Sequence, residues 1–447
     1  MQATKNFTVF GDAEANTLEQ MDNCLKHEAA IAGALMADNH LGYSMPIGGV
    51  VVYQDHISPT GVGFDIACGN KAVLTSITLT DLLKSEGGIK PLIRQIQKKI
   101  EFGMGRKNAT PIDHELFDDP TWDEIGLLDP KLKEKARQQL GTVGSGNHYV
   151  DLLVDEDDYI WIACHFGSRG LGHTLASGFM SLAMGEEFTK RVPESEDPVV
   201  LSTDNEIGEL YISCMELAGD YAYAGRDFVI DQVLDILGVD ANYTVHNHHN
   251  FAWKENDNWV VRKGATPLTT NPAFIGGSMG DISVIVRGIR TTGITTGLPQ
   301  VKDIGALGSA PHGAGRVMSR TKAAGKMRKM WVCSNRDCDW QERAAPGVER
   351  KIIGGAALDK CPNCGNDKFR KVRTRDKSSA MVDWDLERRK LAERNIVVLG
   401  AGADESPAVY KNLSKVLAAH SNIEIIHTLY PVGVVMAGED IRDDYKD

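Results

Sequence analysis

Gly61-Val-Gly-Phe-Asp65-Ile-Ala-Cys68-Gly69 sets a carboxylate and a thiol three residues apart between glycines, at the end of an extended segment. The β-branched stretch Val50–Tyr53 reads as a buried strand leading into it, and Lys71–Leu79 reads as the strand that follows. Glycine lets a backbone turn without steric cost, so Asp65 and Cys68 can face a common point. A thiolate sulfur carries lone pairs for two bonds, so Cys68 could bridge two ions with Asp65 serving one of them. A cysteine on a glycine-rich turn is more often simple packing. Histidines further along the chain tip that balance.

The 447 residues can bury a large core and allow two or three domains. A hydrophobic content of 42% with 25% charged residues is that of a soluble globular chain. No apolar run is long enough for a membrane helix, so no membrane partner is expected, and polar Met1–Asn16 lacks the pattern of a secretory signal. Of the eight cysteines, Cys24, Cys68, Cys164 and Cys214 are scattered and the other four form a paired set. That usage suits a reducing, cytoplasmic compartment rather than a disulfide scaffold. The net charge of -12 is unevenly spread: residues 320–377 hold 16 Lys and Arg against 7 Asp and Glu, a local +9 that leaves -21 elsewhere. A basic island on an acidic body is the pattern of a protein that touches phosphate locally, and equally that of a small solvated domain.

Leu25, Ala29, Ile31 and Leu35 lie at near-helical spacing and predict a helix through that region, followed by a Gly/Pro-punctuated loop over Asp38–Gly49 that holds Asp38 and His40. Pro91 opens a predicted helix lined by Leu92, Ile93, Ile96 and Ile100, and another runs from near Pro130 to before Gly141. Then come two similar loops. Gly141-Thr-Val-Gly-Ser-Gly-Asn147-His148 could cradle phosphate on its backbone N–H groups. The strand Tyr159–Ala163 delivers His165-Phe-Gly-Ser-Arg169, whose guanidinium could grip a phosphate through two parallel bonds.

After a long amphipathic helix over Glu206–Leu237 comes Tyr243-Thr-Val-His246-Asn-His248-His249-Asn250. Three imidazoles in four positions bring polar nitrogens that burial must satisfy, and metal ligation does so economically. Strand alternation puts His246 and His248 on one face and His249 on the other, so only part of the run is expected to bind metal. Lys263 offers a cation on a turn, Gly276-Gly-Ser278-Met-Gly280 is a further small-residue loop, and Pro311-His312-Gly313-Ala-Gly315-Arg316 places an imidazole among glycines before Arg316 and Arg320. Such an imidazole could attack a phosphorus centre while guanidiniums hold its oxygens; a histidine at a helix start is the plainer reading.

The most specific local signal is Cys333-x4-Cys338 followed, after 22 residues, by Cys361-x2-Cys364-Gly. Two such knuckles make a four-thiolate zinc site, and a piece of about forty residues has little core without one. It sits inside the basic island. Beyond it, Trp384–Arg394 reads as a helix, and Ile396–Leu399, Ile423–Leu429 and Val432–Met436 as strands.

In this order the loops at Asp65/Cys68, Asn147/His148, His165/Arg169, His249/Asn250, Lys263 and His312/Arg316 resemble the RtcB family of RNA ligases, together with the Ser278-Met-Gly turn and the Pro407–Lys411 stretch. The resemblance implies an α+β fold with mixed and antiparallel sheets surrounded by helices. It would comprise a catalytic part over 1–330, an inserted zinc ribbon over 331–370 and a C-terminal catalytic part over 371–447 carrying the nucleotide pocket. It implies two Mn²⁺ ions, one on Asp65 and His148, the other on His165 and His249, with Cys68 bridging. His249 is chosen because His249-Asn250, with Glu255 beyond, matches the family pattern. GTP would guanylylate His312. The product would join an RNA 3′-phosphate or 2′,3′-cyclic phosphate end to a 5′-hydroxyl, as in RNA repair or tRNA splicing, with an activating protein factor as an open question.

By the same resemblance, Asn147, Tyr149, Asp151, Ser278, Ser283, Gly313, Gly315 and Tyr410 belong to the nucleotide site, and Arg169, Lys263, Arg316 and Arg320 hold RNA or nucleotide phosphates. Three positions depart from the family: Met436 where a lysine contacts guanine, Pro311 before the nucleophile, and Ala67 in place of an amide side chain. The rival readings are a two-metal phosphoesterase that never joins ends, which would need no nucleotide on His312, and a non-catalytic RNA-binding module built on the ribbon.

Overall fold

The computed structural model describes residues 6–190, 197–290, 301–335, 338–344, 352–353, 356–357 and 360–438. Two sheets carry the fold. The first runs Thr8–Val9, Ala30–His40, Ile47–Gln54, Asn258–Lys263, Asn250–Glu255. The second runs Ala273–Ile275, Ser283–Gly288, Ile423–Gly438, Tyr149–Val154, Tyr159–Phe166, Gly69–Thr78, Ala241–His248, with Val397–Ala401 also paired to Ile423–Gly438. Pairing is antiparallel except where Thr8–Val9 meets Ala30–His40 and Val397–Ala401 meets Ile423–Gly438. The mixed α+β architecture expected from the sequence is the one observed.

Helices cover the second sheet. Glu206–Leu237 begins on the Asn205 side chain, which accepts from the Gly208 N–H at 2.9 Å, and stops at Gly238 in the left-handed region. Its Val229, Ile230 and Val233 pack with Ile93 and Ile96 of the Ile89–Lys99 helix onto Val73, Ile160 and Ile162 of the sheet. Burying these aliphatic side chains contributes about 1.5–3 kcal/mol each, which rigidifies the platform under the site.

Two local expectations are corrected. The first helix spans Ala15–Leu25 only, and Ala30–His40 is a strand, so Ile31, Leu35, Asp38 and His40 belong to a sheet rather than to a helix and a loop. From Ala34 to Asn39 every residue of this strand is buried, so its apolar run lacks the alternation that distinguishes a strand from a helix. At the C-terminus the two predicted strands are one, Ile423–Gly438, with an irregularity between Pro431 and Gly433.

The four-cysteine segment forms a separate small sheet, with Met327–Cys333 between Gln341–Arg343 and Phe369–Arg375. The Cys333–Cys364 and Cys338–Cys361 sulfurs are each 3.6 Å apart, and the ligand atoms of all four lie within 4.8 Å of one another. Four Zn–S bonds of about 2.3 Å at tetrahedral angles separate sulfurs by about 3.7 Å, so this cluster fits a zinc ion. Among the described residues no helix is long and apolar enough to cross a membrane.

Candidate functional site

Strand register gathers the chemistry at one end of the second sheet. Gly69 pairs with both Phe166 and His248, Asn70 pairs with His165, and Tyr149 pairs with His165. Residues beside these positions therefore meet: Cys68, His148, His165 and His249 leave four chain segments at the same edge. A side chain at Gly69 would set its Cβ 2.2 Å from the Asn247 carbonyl oxygen, so only glycine lets these strands close. The turn is pinned from both sides, because the Ala67 N–H donates to Asn250 O at 2.7 Å and the His249 N–H to Cys68 O at 2.8 Å. Ala67 itself lies at φ 59°, a left-handed conformation that asparagine tolerates better than alanine does.

The Cys68 sulfur stands 3.3 Å from His165 Nε2 and 3.7 Å from His148 Nε2, and Asp65 Oδ2 is 3.0 Å from His148 Nε2. His165 Nδ1 lies 2.8 Å from Asn70 Oδ1, which assigns the proton to Nδ1 and leaves the Nε2 lone pair facing the sulfur. The His249 ring is 5.0 Å from that of His165, and its Nδ1 is buried with no hydrogen-bond partner. Burial and neighbouring imidazoles push His165 and His249 well below the ordinary histidine range, so both stay neutral. Burial raises the Asp65 carboxyl, but His148, the Cys68 hydrogen bond and Arg169 together hold it below the usual range. Neutral imidazoles, an ionised carboxylate, a sulfur and an orphaned buried nitrogen make a donor set that fits divalent metal.

His312 is brought to this cluster by a second pairing, Ala265–Pro267 against Ser309–Pro311. Its ring lies 4.8 Å from the His249 ring. Asp38, fully buried, holds it: Oδ2 is 2.6 Å from His312 Nδ1 and accepts the backbone N–H groups of His312 at 2.9 Å and Gly313 at 3.2 Å. Although burial raises the Asp38 carboxyl, His312, the Gly313 N–H and His40 together hold it below the usual range. With Nδ1–H committed to Asp38, Nε2 carries the free lone pair. Gly315, at φ 73°, allows the close approach here, since a Cβ would meet the Asp38 carbonyl oxygen at 2.0 Å.

Beside His312 opens a cavity of about 800 Å³. Asn147, Tyr149, Asp151, Ser278, Gly313, Gly315 and Tyr410 line it, as do Lys263, Arg316, Arg320, Val434 and Met436. Glu405, 3% exposed, ties part of this wall together by pairing with Arg316 at 3.4 Å and Arg320 at 3.0 Å and by accepting the Tyr410 hydroxyl. Asp151 is different: its Oδ1 is buried without a partner, and burial alone pushes the carboxyl well above its ordinary range.

A family model described as tRNA-splicing ligase RtcB matches residues 20–125 and 121–343. The chain belongs to the RtcB family. It is 30% identical over 345 residues to RNA-splicing ligase RtcB of Escherichia coli K12, covering 69% of this chain and 80% of that one. It is also 27% identical over 405 residues to the tRNA-splicing ligase RtcB of Thermococcus kodakarensis (72% and 81%) and 29% over 397 to that of Methanococcus maripaludis (70% and 79%).

Not every position that the RtcB pattern singles out lines the cavity. Arg169 turns to the preceding loop, donating to Thr142 Oγ1 at 3.3 Å and Gly103 O at 3.1 Å. Ser283 accepts the Gly277 N–H at 3.0 Å and so shapes the small-residue loop from behind. Lys263 reaches the cavity while donating to the carbonyls of Tyr43 at 2.5 Å and Thr60 at 3.1 Å. His246 and His248 share Arg226, which bonds them at 2.9 Å each and also holds Ala67 O and Phe166 O. The alternation predicted for the His246–His249 run is thus observed.

Four neighbours of this site have no role in the sequence reading: Asp38, noted there only as an acid on a loop, and Asn70, Arg226 and Glu405. Asp38 was visible as an acid two residues before His40, but nothing local links it to a histidine 274 positions away. Arg226 carried a weak signal, an arginine within the apolar pattern of a long helix.

Proposed function

We propose that this RtcB protein joins an RNA 3′-phosphate or 2′,3′-cyclic phosphate end to a 5′-hydroxyl end at the expense of GTP, using His312 as nucleophile. The observation that carries the reading is the Asp38–His312 pair: a buried carboxylate orients the imidazole and aims it at the space shared by the cavity and the Cys68/His148/His165 cluster.

Asp65 and His148 would hold one Mn²⁺, His165 and His249 the other, with Cys68 between them. When bound, these ions supply Lewis-acid neutralisation of phosphate charge. In the first step His312 Nε2 forms an N–P bond to the α-phosphorus and pyrophosphate leaves. Asp38 stabilises the positive charge that develops on the ring. An oxygen of the RNA 3′-phosphate then displaces the imidazole, and a 5′-hydroxyl finally displaces GMP to form the phosphodiester; a cyclic phosphate is first opened by water. Arg316 and Arg320 meet the phosphates from a position already set by Glu405, and so lose little freedom on binding. Lys263, Asn147, Ser278, Gly313 and Gly315 complete the phosphate wall, and Tyr149, Asp151 and Tyr410 the base end. Arg169 and Ser283 act by shaping the loops. The ribbon cysteines hold a structural Zn²⁺.

The test is covalent labelling. Incubate the protein with Mn²⁺ and α-labelled GTP or ATP, denature it, and compare the parent with His312→Ala. GTP label that vanishes in the variant supports the proposal. If neither nucleotide labels a metal-loaded protein, the ligase reading fails and a two-metal phosphoesterase takes its place.

A further inference from the structure

The ribbon sheet has two unlike faces. Met327–Cys333 and Phe369–Arg375 are antiparallel in a register that opposes Lys329 to Arg373, Trp331 to Lys371 and Cys333 to Phe369. Opposed residues share a face, and alternate residues along a strand share it too. One face therefore presents Lys329, Trp331, Lys371 and Arg373 together, with Glu342 opposite Trp331 on the third strand and Cys333 and Phe369 at the strand end. The other carries Met330, 2% exposed, with Val332 and Val372 half-buried beside it.

On the first face Lys329, Lys371 and Arg373 are exposed, and the Lys371 ammonium lies 5.7 Å from the centre of the half-buried Trp331 ring. A structural ribbon needs its four cysteines and an inner face. Three exposed cations around the half-buried Trp331 ring, whose Nε1 is buried, add nothing to that zinc cluster. The charge pattern says what such a face would attract: residues 320–377 are +9 in a chain of net -12. Apart from the cavity with its Lys263 and Arg316, the body is acidic, and this segment is where positive charge concentrates. The ribbon also adjoins the cavity through the chain, because the helix Arg320–Ala324 that leads into it begins with the cavity-lining Arg320.

We propose that the Lys329/Trp331/Lys371/Arg373 face is a platform for single-stranded RNA, holding the strand away from its reacting end. The cations would meet successive phosphates, and the indole would stack an unpaired base, which a duplex cannot offer. The platform is a binding site in its own right and does not depend on how His312 reacts.

The test uses the full, zinc-loaded protein and a fluorescent, unstructured 20-nucleotide RNA ending in a 3′-phosphate, with affinity read by anisotropy across a salt series. A single strand contributes a slope of about -0.7 per phosphate neutralised. The triple variant Lys329→Ala/Lys371→Ala/Arg373→Ala should therefore flatten the slope of log K against log salt by about 2 and weaken binding at least tenfold at low salt. Trp331→Ala should cost about tenfold with the slope unchanged, and Trp331→Phe should restore most of it. One zinc per chain confirms that each variant is folded in this region. An unchanged slope and affinity in the zinc-loaded triple variant overturns the proposal, as does a blunt RNA duplex that binds the parent equally well and loses equally from Trp331→Ala. Labelling of His312 by nucleotide needs no RNA, so the two proposals fail separately.

Discussion

Asp38→Asn removes one charge from behind His312 and keeps the shape. The carboxylate oxygen lies 2.6 Å from Nδ1 with no solvent exposure on its residue, and it also accepts two backbone N–H groups. A hydrogen bond to a charged group contributes about 1.5–3 kcal/mol, and opposite unit charges about 4 Å apart at an effective dielectric of 20 attract by about 4 kcal/mol. An amide oxygen still accepts, so the loss is the charge-dependent part, about 2–3 kcal/mol, felt as the ring becomes cationic. That corresponds to nucleotide labelling of His312 slowed by about 30- to 150-fold. There is also a stability cost. Asp38 Oδ1 has no hydrogen-bond partner, so the new amide nitrogen would be buried without an acceptor, at about 1–3 kcal/mol. The assay is single-turnover labelling with α-labelled GTP at saturating Mn²⁺, alongside metal content and denaturant unfolding. The loss should fall on the rate at saturation and not on nucleotide affinity. A labelling rate within about threefold of the parent, in a folded variant with normal metal content, would refute the role given to Asp38.

Arg226→Met should destabilise the protein by about 3–5 kcal/mol, because a fully buried guanidinium leaves Ala67 O, Phe166 O, His246 and His248 together. Ala67 and Phe166 adjoin Cys68 and His165, so Mn²⁺ affinity should also fall at least tenfold by calorimetry; unchanged affinity would confine Arg226 to the core. Asp151→Ala should reduce any preference for GTP over ATP in the labelling reaction at least tenfold, since the buried acid lines the cavity on the strand paired with that of Met436, which offers no cation. Equal preference in parent and variant would take Asp151 out of base recognition. Acid should weaken the fold between pH 6.5 and about 4. Burial depresses His40 and His420 to about 4 each, so in that window the unfolded chain binds protons that the folded chain does not. Stability thus rises with pH and is complete above 6.5, each group contributing up to about 3 kcal/mol. Replacing His420, whose Nε2 accepts the Ala37 N–H, by Gln should flatten that limb in denaturant titrations at successive pH values.

Much of the site was legible along the chain because its parts are local. The glycines around Asp65 and Cys68 mark a turn, and the alternation of a strand separates His249 from His246 and His248. Two cysteine pairs at ribbon spacing announce a metal cluster wherever they fold. Helix Glu206–Leu237 shows the same: its apolar pattern and its Gly238 stop are written within it. Tertiary structure alone decided the rest. It placed Ala30–His40 in a buried strand where periodicity pointed to a helix, set Asp38 under His312, turned Arg169 and Ser283 toward loop support, and gave Arg226 and Glu405 their partners. The reason is physical. Secondary structure imprints a period of two or 3.6 residues that any stretch carries alone, whereas a buried ion pair depends on strand register hundreds of residues away, and no local period records which acid will meet which base.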